Sequence, residues 1–402
     1  MNVLVVNGGS SSFKCWFSEL GEGPLPVEAP QPLWEAHVEW SEGTAEVRIR
    51  AGSDPPAEST SPAASLVEPL GDVLASVRRI AAKIDVVGHR IVHGGKAYRE
   101  TARLTAEVRA AIAKQAEFAP SHNRFELEAV ETVDRVLGPE LEQIAVFDTG
   151  FHASLEPAAY VYPGPYEWLD QGVRRYGFHG ISFQYATRRA AHLLGTPAES
   201  LKMILCHLGN GGSLVAVRGG KSIDTTMGFT PLEGLMMGTR SGSVDPGILI
   251  YLLRHCGYTA DRLDDVLNRR SGLKGIFGES GDMRKILAAR AAGDERAALA
   301  FDIYTHRLAR EAGGMLAVLG GVDALVFTGG IGENSPPVRE RLCRQLAFTG
   351  VQIEDRDNQR NPRDSDIAAG DSRVRVLVIH TEEEWEIARE CHRLTQVVSP
   401  TS

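Results

Sequence analysis

Short apolar runs that stop abruptly at glycine clusters recur along the chain. Asn2 to Val6 halts at Asn7-Gly8-Gly9, and Ser10 to Phe17 resumes an extended pattern, which predicts strand, glycine turn and strand. Leu201 to Leu208, the turn Gly209-Asn210-Gly211-Gly212-Ser213, and Leu214 to Val217 repeat that design. One copy in each half points to a weak internal duplication. A third run, Ala324 to Phe327, ends at TGGIGEN, a glycine turn that leads towards a helix. Further strands are expected at Ile84 to Val87, Gln143 to Phe147 and Val374 to Ile379. Helical spacing joins Leu104, Val108 and Ile112, and again Val130, Val133 and Leu137. Leu299, Ile303 and Leu308 open a longer helix, and Glu382 to Leu394 forms a last one with Trp385, Ala388 and Cys391 on one face. Alternating strands and helices predict an α/β fold. Ala51 to Ser65, rich in Pro, Ser and Ala, predicts an exposed loop without chemistry, and Val397 to Ser402 a frayed tail.

At 402 residues the chain exceeds one ordinary core, so two domains are expected, with a boundary near Thr149. A net charge of −9 speaks against a broad surface for nucleic acid or anionic membrane. No apolar run approaches the roughly 20 residues that span a bilayer. The start, MNVLVVNGG, lacks the basic residues and cleavage site of a leader and reads as a buried strand. Five scattered cysteines without CxxC spacing read as thiols in a reducing compartment. A cytoplasmic protein is the expectation.

Phosphate groups need close backbone approach and several N–H donors, and glycine permits both. Three turns offer this: Asn7 to Lys14, His207 to Ser213 and Phe327 to Ser335. Ser10, Ser11 and Ser12 add hydroxyls to the first, and Lys14 a charge. None matches GxxxxGK(S/T) or a strict GxGxxG, so a P-loop or dinucleotide motif has little support. One glycine turn alone is most often only a turn; three, two of them rich in Asn and Ser, tip the balance towards phosphate. Arg90 follows a strand end and Arg240 stands on a glycine-flanked loop, where a guanidinium fork fits the oxygen pair of a carboxylate or phosphoryl group. Among twelve histidines, His89, His93 and His152 read as structural. His179, beside Arg174, Arg175, Tyr176 and Phe178, suits donation to a transferring phosphoryl group. The HExxH spacing of a zinc site is absent. Asp148 ends an apolar strand and is well placed to hold Mg²⁺ directly or through water. Helix N-terminal charge, with Thr381 as N-cap, accounts for two of Glu382, Glu383 and Glu384.

From NGGSSSFK through GHRIVHGG, APSHN, FDTGFH, RRYGFHGIS, HLGNGGS, PLEGLMMGTRSGSVDPG, SGDMR and FTGGIGENS to TEEEWEIAR, the chain resembles the acetate kinase family. The likeness runs nearly the whole length, and Pro231 to Gly247 is specific enough to carry it almost alone. The resemblance implies two actin-like (ribonuclease H-like) α/β domains from an internal duplication, with the active site in the interdomain cleft. This is the architecture of the acetate and sugar kinase, heat-shock protein 70 and actin superfamily. The implied domains are 1–148 and 149–384, the second carrying nucleotide-binding and dimerisation elements, while a helix over about 385–402 packs back on the first.

The implied activity is reversible phosphorylation of acetate to acetyl phosphate, by direct in-line transfer from MgATP to the carboxylate. By similarity, Asp148, His179 and Arg240 are catalytic, and Arg90, His122, Val92, Phe178 and Pro231 bind the substrate. Lys14, Ser10, Ser12, His207, Leu208, Gly209, Asn210 and Gly211 are implied to hold the nucleotide. So are Asp282, Met283, Arg284, Gly330, Ile331, Gly332, Glu333 and Asn334. Asn7 and Glu383 are the implied metal positions, for Mg²⁺ with Mn²⁺ able to substitute. A carboxylate is already ionised at pH 7, so Asp148 reads as an organiser of the metal or its waters and not as a base. The implied partners are acetate, acetyl phosphate, ATP, ADP and a second copy of the chain in a homodimer, with neither nucleic acid nor membrane.

Three residues depart from the family pattern. Ser121 replaces the usual leucine of A-P-L-H-N-P, Arg124 the proline that follows, and His380 the proline before the Thr-x-Glu segment. A smaller, polar Ser121 could enlarge the acyl pocket, which makes propionate or butyrate kinase the nearest alternative. A non-catalytic actin- or chaperone-like nucleotide binder would keep the glycine turns without needing Arg90, His179 and Arg240 together. A pyrophosphate-using variant is disfavoured by GGIGEN and by Asp282-Met283-Arg284.

Overall fold

The computed structural model describes all residues except 10, 11, 42, 116–119, 361, 362 and 397–402, and all side chains except those of 115 and 120–124 as well. The chain forms two compact units. The first takes Met1–Ala153, Gly180–Tyr185 and the stretch from Glu382; the second takes Ser154–His179 and Ala186–Thr381.

Among the described residues, the first unit carries an eight-stranded sheet. Its strands are β1 (Asn2–Gly8), β2 (Ser12–Glu19), β3 (Trp34–Ser41), β4 (Thr44–Ala51), β5 (Ala57–Pro62), β6 (Val86–Ile91), β7 (Ala102–Arg103) and β8 (Glu142–Phe147). Their order is β5-β4-β3-β2-β1-β6-β8-β7. The second unit carries β9 (Lys202–Leu208), β10 (Gly212–Arg218), β11 (Lys221–Thr225), β12 (Ala324–Thr328), β13 (Ser365–Asp366) and β14 (Arg375–Val378), in the order β11-β10-β9-β12-β14-β13.

The repeat read from the glycine turns is visible strand by strand. β1, β2 and β3 form an antiparallel meander, and β6 and β8 follow β1 in parallel. β9, β10 and β11 do the same, with β12 and β14 parallel to β9. β1 and β9 also share a burial pattern: Val3–Val6 and Met203–Cys206 are buried without interruption, and half-buried Asn7 and His207 follow. Continuous burial demands an apolar run in place of alternation, because a central strand is covered on both faces. The polar residue that breaks each run stands near the carboxyl end of its strand, where α/β sheets gather ligands.

Helices supply the covering layers. Leu70, Val73, Leu74 and Val77 of helix Leu70–Val77, with Ala129 and Val133 of helix Pro120–Leu137, share one core with Leu4 and Val6. The helix Glu383–Gln396 covers β6 closely: a Cβ on Gly88 would stand 2.6 Å from Cys391 Sγ. In the second unit the long helix Glu295–Leu319 buries Ala300, Tyr304, Leu308, Ala312 and Met315. Leu299, expected on that face, is 53% exposed, because the buried stripe runs through its smaller neighbour Ala300. The expected loop over Ala51 to Ser65 also needs correcting. It contains β5, an exposed edge strand that ends at Pro62, where a missing N–H costs no ladder bond.

Candidate active site

In the first unit, three neighbouring strands bring Asn7, Arg90 and Asp148 to one end of the sheet, and the start of helix Glu383–Gln396 adds two carboxylates. Asn7 Nδ2 donates to Glu383 Oε2 at 3.1 Å and to Glu384 Oε1 at 2.8 Å. Lys14 lies opposite Asn7 in the β1–β2 ladder, with Nζ 3.9 Å from Glu384 Oε1. That carboxylate chiefly holds the Lys14 ammonium above its ordinary pKa. Arg90 donates through Nε and Nη2 to Asp148 at 3.2 and 2.5 Å, and through Nη1 to Gly8 O at 2.5 Å. Burial alone would lower the guanidinium pKa, yet Asp148 foremost raises it above its ordinary value. Both oxygens of Asp148 are therefore engaged in orienting Arg90.

A further carboxyl here escaped the sequence reading, where it passes for an ordinary helix charge. Glu126 is 3% exposed; Oε1 accepts the Val92 N–H at 3.0 Å, and Oε2 meets no partner among the described residues. Burial raises its pKa from 4.5 to about 8, against the pull of Arg90. The folded protein thus keeps a proton that the unfolded chain releases between those values. This group should lower stability by up to about 1.4 kcal/mol per pH unit as pH rises through that window. Glu126→Gln is expected to flatten that slope in urea titrations at pH 5, 6.5 and 8. Parallel curves for variant and wild type would show the carboxyl titrates normally.

In the second unit, His179 stands at the N-cap of helix Gly180–Leu193 in the left-handed region, with φ 59°. Such backbone strain in a residue other than glycine collects at functional sites. Its Nδ1 lies 2.8 Å from Ser213 Oγ, and its ring stacks on His207 with centroids 4.2 Å apart. Arg240 Nη1 donates to Pro231 O at 3.1 Å. A Cβ on Gly211 would stand 3.5 Å from both Arg240 Nη1 and His179 Nε2, so two nitrogens converge on the space that this glycine leaves open. Among the described residues Arg240 has no carboxylate partner, and burial lowers its pKa. An uncompensated, half-buried guanidinium fits an anion that arrives from solution.

The loop bearing Arg240 is tied down by groups not singled out from sequence. Arg175 donates to the carbonyls of Thr225, Thr226 and Met227 and, at 2.8 Å, to Glu233 Oε1. The Tyr162 hydroxyl donates to the other oxygen of Glu233. A lone acid inside the apolar stretch PLEGLMM was the available signal. Gly242 closes the loop with φ 69°, where a Cβ would stand 2.3 Å from Leu235 O.

Because β12 runs parallel to β9, their two glycine turns emerge at the same end of the sheet. Gly209, Asn210, Gly330, Ile331, Asn334 and the run Asp282-Met283-Arg284 border one cavity of about 820 Å³, a size that suits a small molecule. Lys274, Glu279 and Leu287, not foreseen, also line it. Asp282 caps helix Met283–Ala291, accepting the Arg284 N–H at 2.8 Å, and pairs with the Arg284 guanidinium. Two of the expected nucleotide positions turn their side chains into the protein. The Leu208 side chain is wholly in the core, since strand alternation turns it inward where His207 turns out, so only its backbone can meet a ligand. Glu333 folds back on its own helix: Oε1 accepts the Gly329 N–H at 2.9 Å, and Oε2 lies 2.6 Å from His380 Nδ1. Burial pushes the Glu333 carboxyl up, but His380 and the N–H donors hold it below its ordinary value. Fully buried Arg339 braces the same turn through the carbonyls of Gly332 and Glu333.

Val92 and Phe178 are buried, Pro231 is partly so, and Ser12 O accepts the Gly9 N–H at 2.8 Å. Ser10, and the side chains of His122, Ser121 and Arg124, lie outside the described residues. For a divalent metal, Glu383, Glu384 and Asn7 present hard oxygens. Among the described residues no cluster of three or more His, Cys, Asp or Glu is placed to hold an ion. Two carboxylates and an amide oxygen are the chemistry that suits a hard divalent cation.

The family described as the Acetokinase family matches residues 2–389. The acetate kinase of Gloeobacter violaceus is 55% identical over 399 residues, covering 97% of this chain and 98% of that protein. The crystal structure of Porphyromonas gingivalis acetate kinase is similar with a TM-score of 0.87 and 35% identity, over 98% of this chain and 99% of the other. That of a propionate kinase from Francisella tularensis is as similar, with a TM-score of 0.87 and 36% identity over 97% and 98%.

Proposed function

The chain belongs to the acetokinase family, and from that premise we propose how its residues phosphorylate acetate with ATP. It is a kinase, with ATP and ADP as co-substrates and a divalent metal. In the proposed step a carboxylate oxygen of acetate attacks the γ-phosphorus of ATP in line. The new P–O bond forms as the bond to the β,γ-bridging oxygen breaks, and ADP leaves with that electron pair; the product is an acyl phosphate. The nucleophile is already ionised, so alignment and charge neutralisation are what the protein must supply.

The observation that carries this reading is the convergence of Arg240 Nη1 and His179 Nε2 over Gly211, with no carboxylate among the described residues to satisfy Arg240. Two donors so placed would neutralise the equatorial oxygens of the transferring group. Arg90 would take the substrate carboxylate: three of its five N–H groups are engaged, which leaves two. Asp148 acts through Arg90 and neither gains nor loses a proton. Asn210, Gly211, Gly330 and Asn334 would cradle the nucleotide, with Lys14 on its phosphates. Mg²⁺ is the proposed cation, held by Asn7 and Glu383. When bound, it offsets charge on the phosphate oxygens.

Formation of acyl hydroxamate from acetate, propionate and butyrate, with ATP, GTP and pyrophosphate as donors, tests the whole reading. We expect kcat/KM to fall from acetate to butyrate, each methylene being worth about 1–3 kcal/mol. Equal values for acetate and butyrate would show an unrestricted pocket, and no product from any pair would sink the kinase assignment. His380→Ala should raise KM for ATP several-fold, because Glu333 loses its clasp, and leave KM for acetate unchanged. Equal rises in both constants would refute that role.

A homodimer is also proposed. Helix Pro246–His255 has no buried residue, and Ile248, Ile250, Tyr251 and Leu253 stand exposed on it, an apolar surface that a second copy would cover. The free cysteines accord with a cytoplasmic setting.

A further inference from the structure

We propose that Ser213 is a positioning residue that fixes which nitrogen of His179 carries the proton. The inference rests on His179 being a donor to the transferring phosphoryl group. Ser213 lies in β10 opposite His207, and its side chain is fully buried. Its Oγ is 2.8 Å from His179 Nδ1 and, among the described residues, has no other partner.

A neutral imidazole has one nitrogen that donates and one that accepts, so the partner at Nδ1 decides what Nε2 offers. A serine hydroxyl can play either part, and its burial settles which. A buried O–H proton needs an acceptor, and among the described residues Nδ1 is the one acceptor within hydrogen-bond distance of Oγ. If Nδ1–H donated instead, the hydroxyl proton would be stranded. Nε2 would then turn a lone pair towards the space it shares with Arg240 Nη1, where it would repel a phosphoryl oxygen. A doubly protonated ring would donate at Nδ1 as well and strand the hydroxyl proton in the same way. The remaining arrangement is consistent throughout: Ser213 donates to Nδ1, and neutral His179 donates from Nε2. The His207 ring, stacked on His179, limits rotation that would exchange the two nitrogens.

The test is the ring nitrogen spectrum of ¹⁵N-histidine-labelled protein at neutral pH, with His179 assigned by the signals lost in His179→Gln. Expected are a protonated Nε2 and a bare Nδ1; a protonated Nδ1 overturns the proposal. In Ser213→Ala the ring should move towards a mixture of tautomers, with kcat lower by about tenfold and both KM values little changed. Ser213→Thr, which keeps a hydroxyl, should restore both. An unaltered spectrum and full kcat in Ser213→Ala would overturn the assignment. Full turnover in His179→Gln would instead sink the reading of His179 as a phosphoryl donor, and the wild-type spectrum would still decide the tautomer.

Discussion

Replacing Arg240 with alanine is expected to lower kcat by about 10³-fold while leaving the fold intact. The two halves of that outcome have one cause. Arg240 has no acidic partner among the described residues, and burial lowers its pKa, so the folded protein holds an uncompensated charge. Removing it strands no carboxylate, and the melting temperature should stay level or rise. A group kept at a cost to stability and needed only when a phosphoryl group is in flight belongs to turnover and not to structure. Arg240→Lys keeps the charge but loses the fork, and should fall between wild type and alanine. Hydroxamate formation and a thermal melt on the same preparations read both quantities. A nearly normal kcat in Arg240→Ala would remove the central support for the proposed transfer.

Asp148→Ala should behave in the opposite way, losing stability together with activity. Asp148 is 1% exposed and both of its oxygens engage Arg90, so the alanine leaves a guanidinium without its counter-charge. Breaking a buried pair from one side costs about 3–5 kcal/mol, whereas replacing both partners with apolar residues is often neutral. Urea denaturation should therefore find Asp148→Ala much weaker than wild type, and the double variant Arg90→Met, Asp148→Leu largely recovered in stability but inactive. Wild-type turnover in Asp148→Asn would sink the idea that Asp148 works by orienting Arg90.

What was legible beforehand depended on how far apart in the chain the interacting groups lie. β1 and β9 could be read from local runs of valine, leucine and isoleucine, and their glycine turns from composition, since each depends on adjacent residues. The pairing of Asn7 with Glu383 and Glu384 spans the length of the chain and leaves no local trace. Arg240 drew notice because glycines flank it, while Arg175 and Glu233, which hold its loop, look like ordinary charges until the loop is closed. Glu126 shows the same limit from another side. On a helix rich in charge it reads as solvated, and only burial beside Arg90 reveals a carboxyl that keeps its proton near neutrality. At Leu208 a motif that names consecutive residues meets a strand that turns alternate ones inward, so its side chain belongs to the core.

The return of the helix Glu383–Gln396 to the first unit bears on how the protein comes off the ribosome. Trp385 packs on Trp16 with ring centroids 6.0 Å apart, and Gly88 is shaped to receive Cys391 and Ile387. Trp385, Ile387 and Cys391 follow residue 381 in the chain, so Ser154–His179 and Ala186–Thr381 are made before them. Vectorial synthesis thus inverts the usual order: the unit that holds the earlier residues is the later to finish, because the apolar cover over Trp16 and Gly88 is missing until Trp385 to Cys391 have been made.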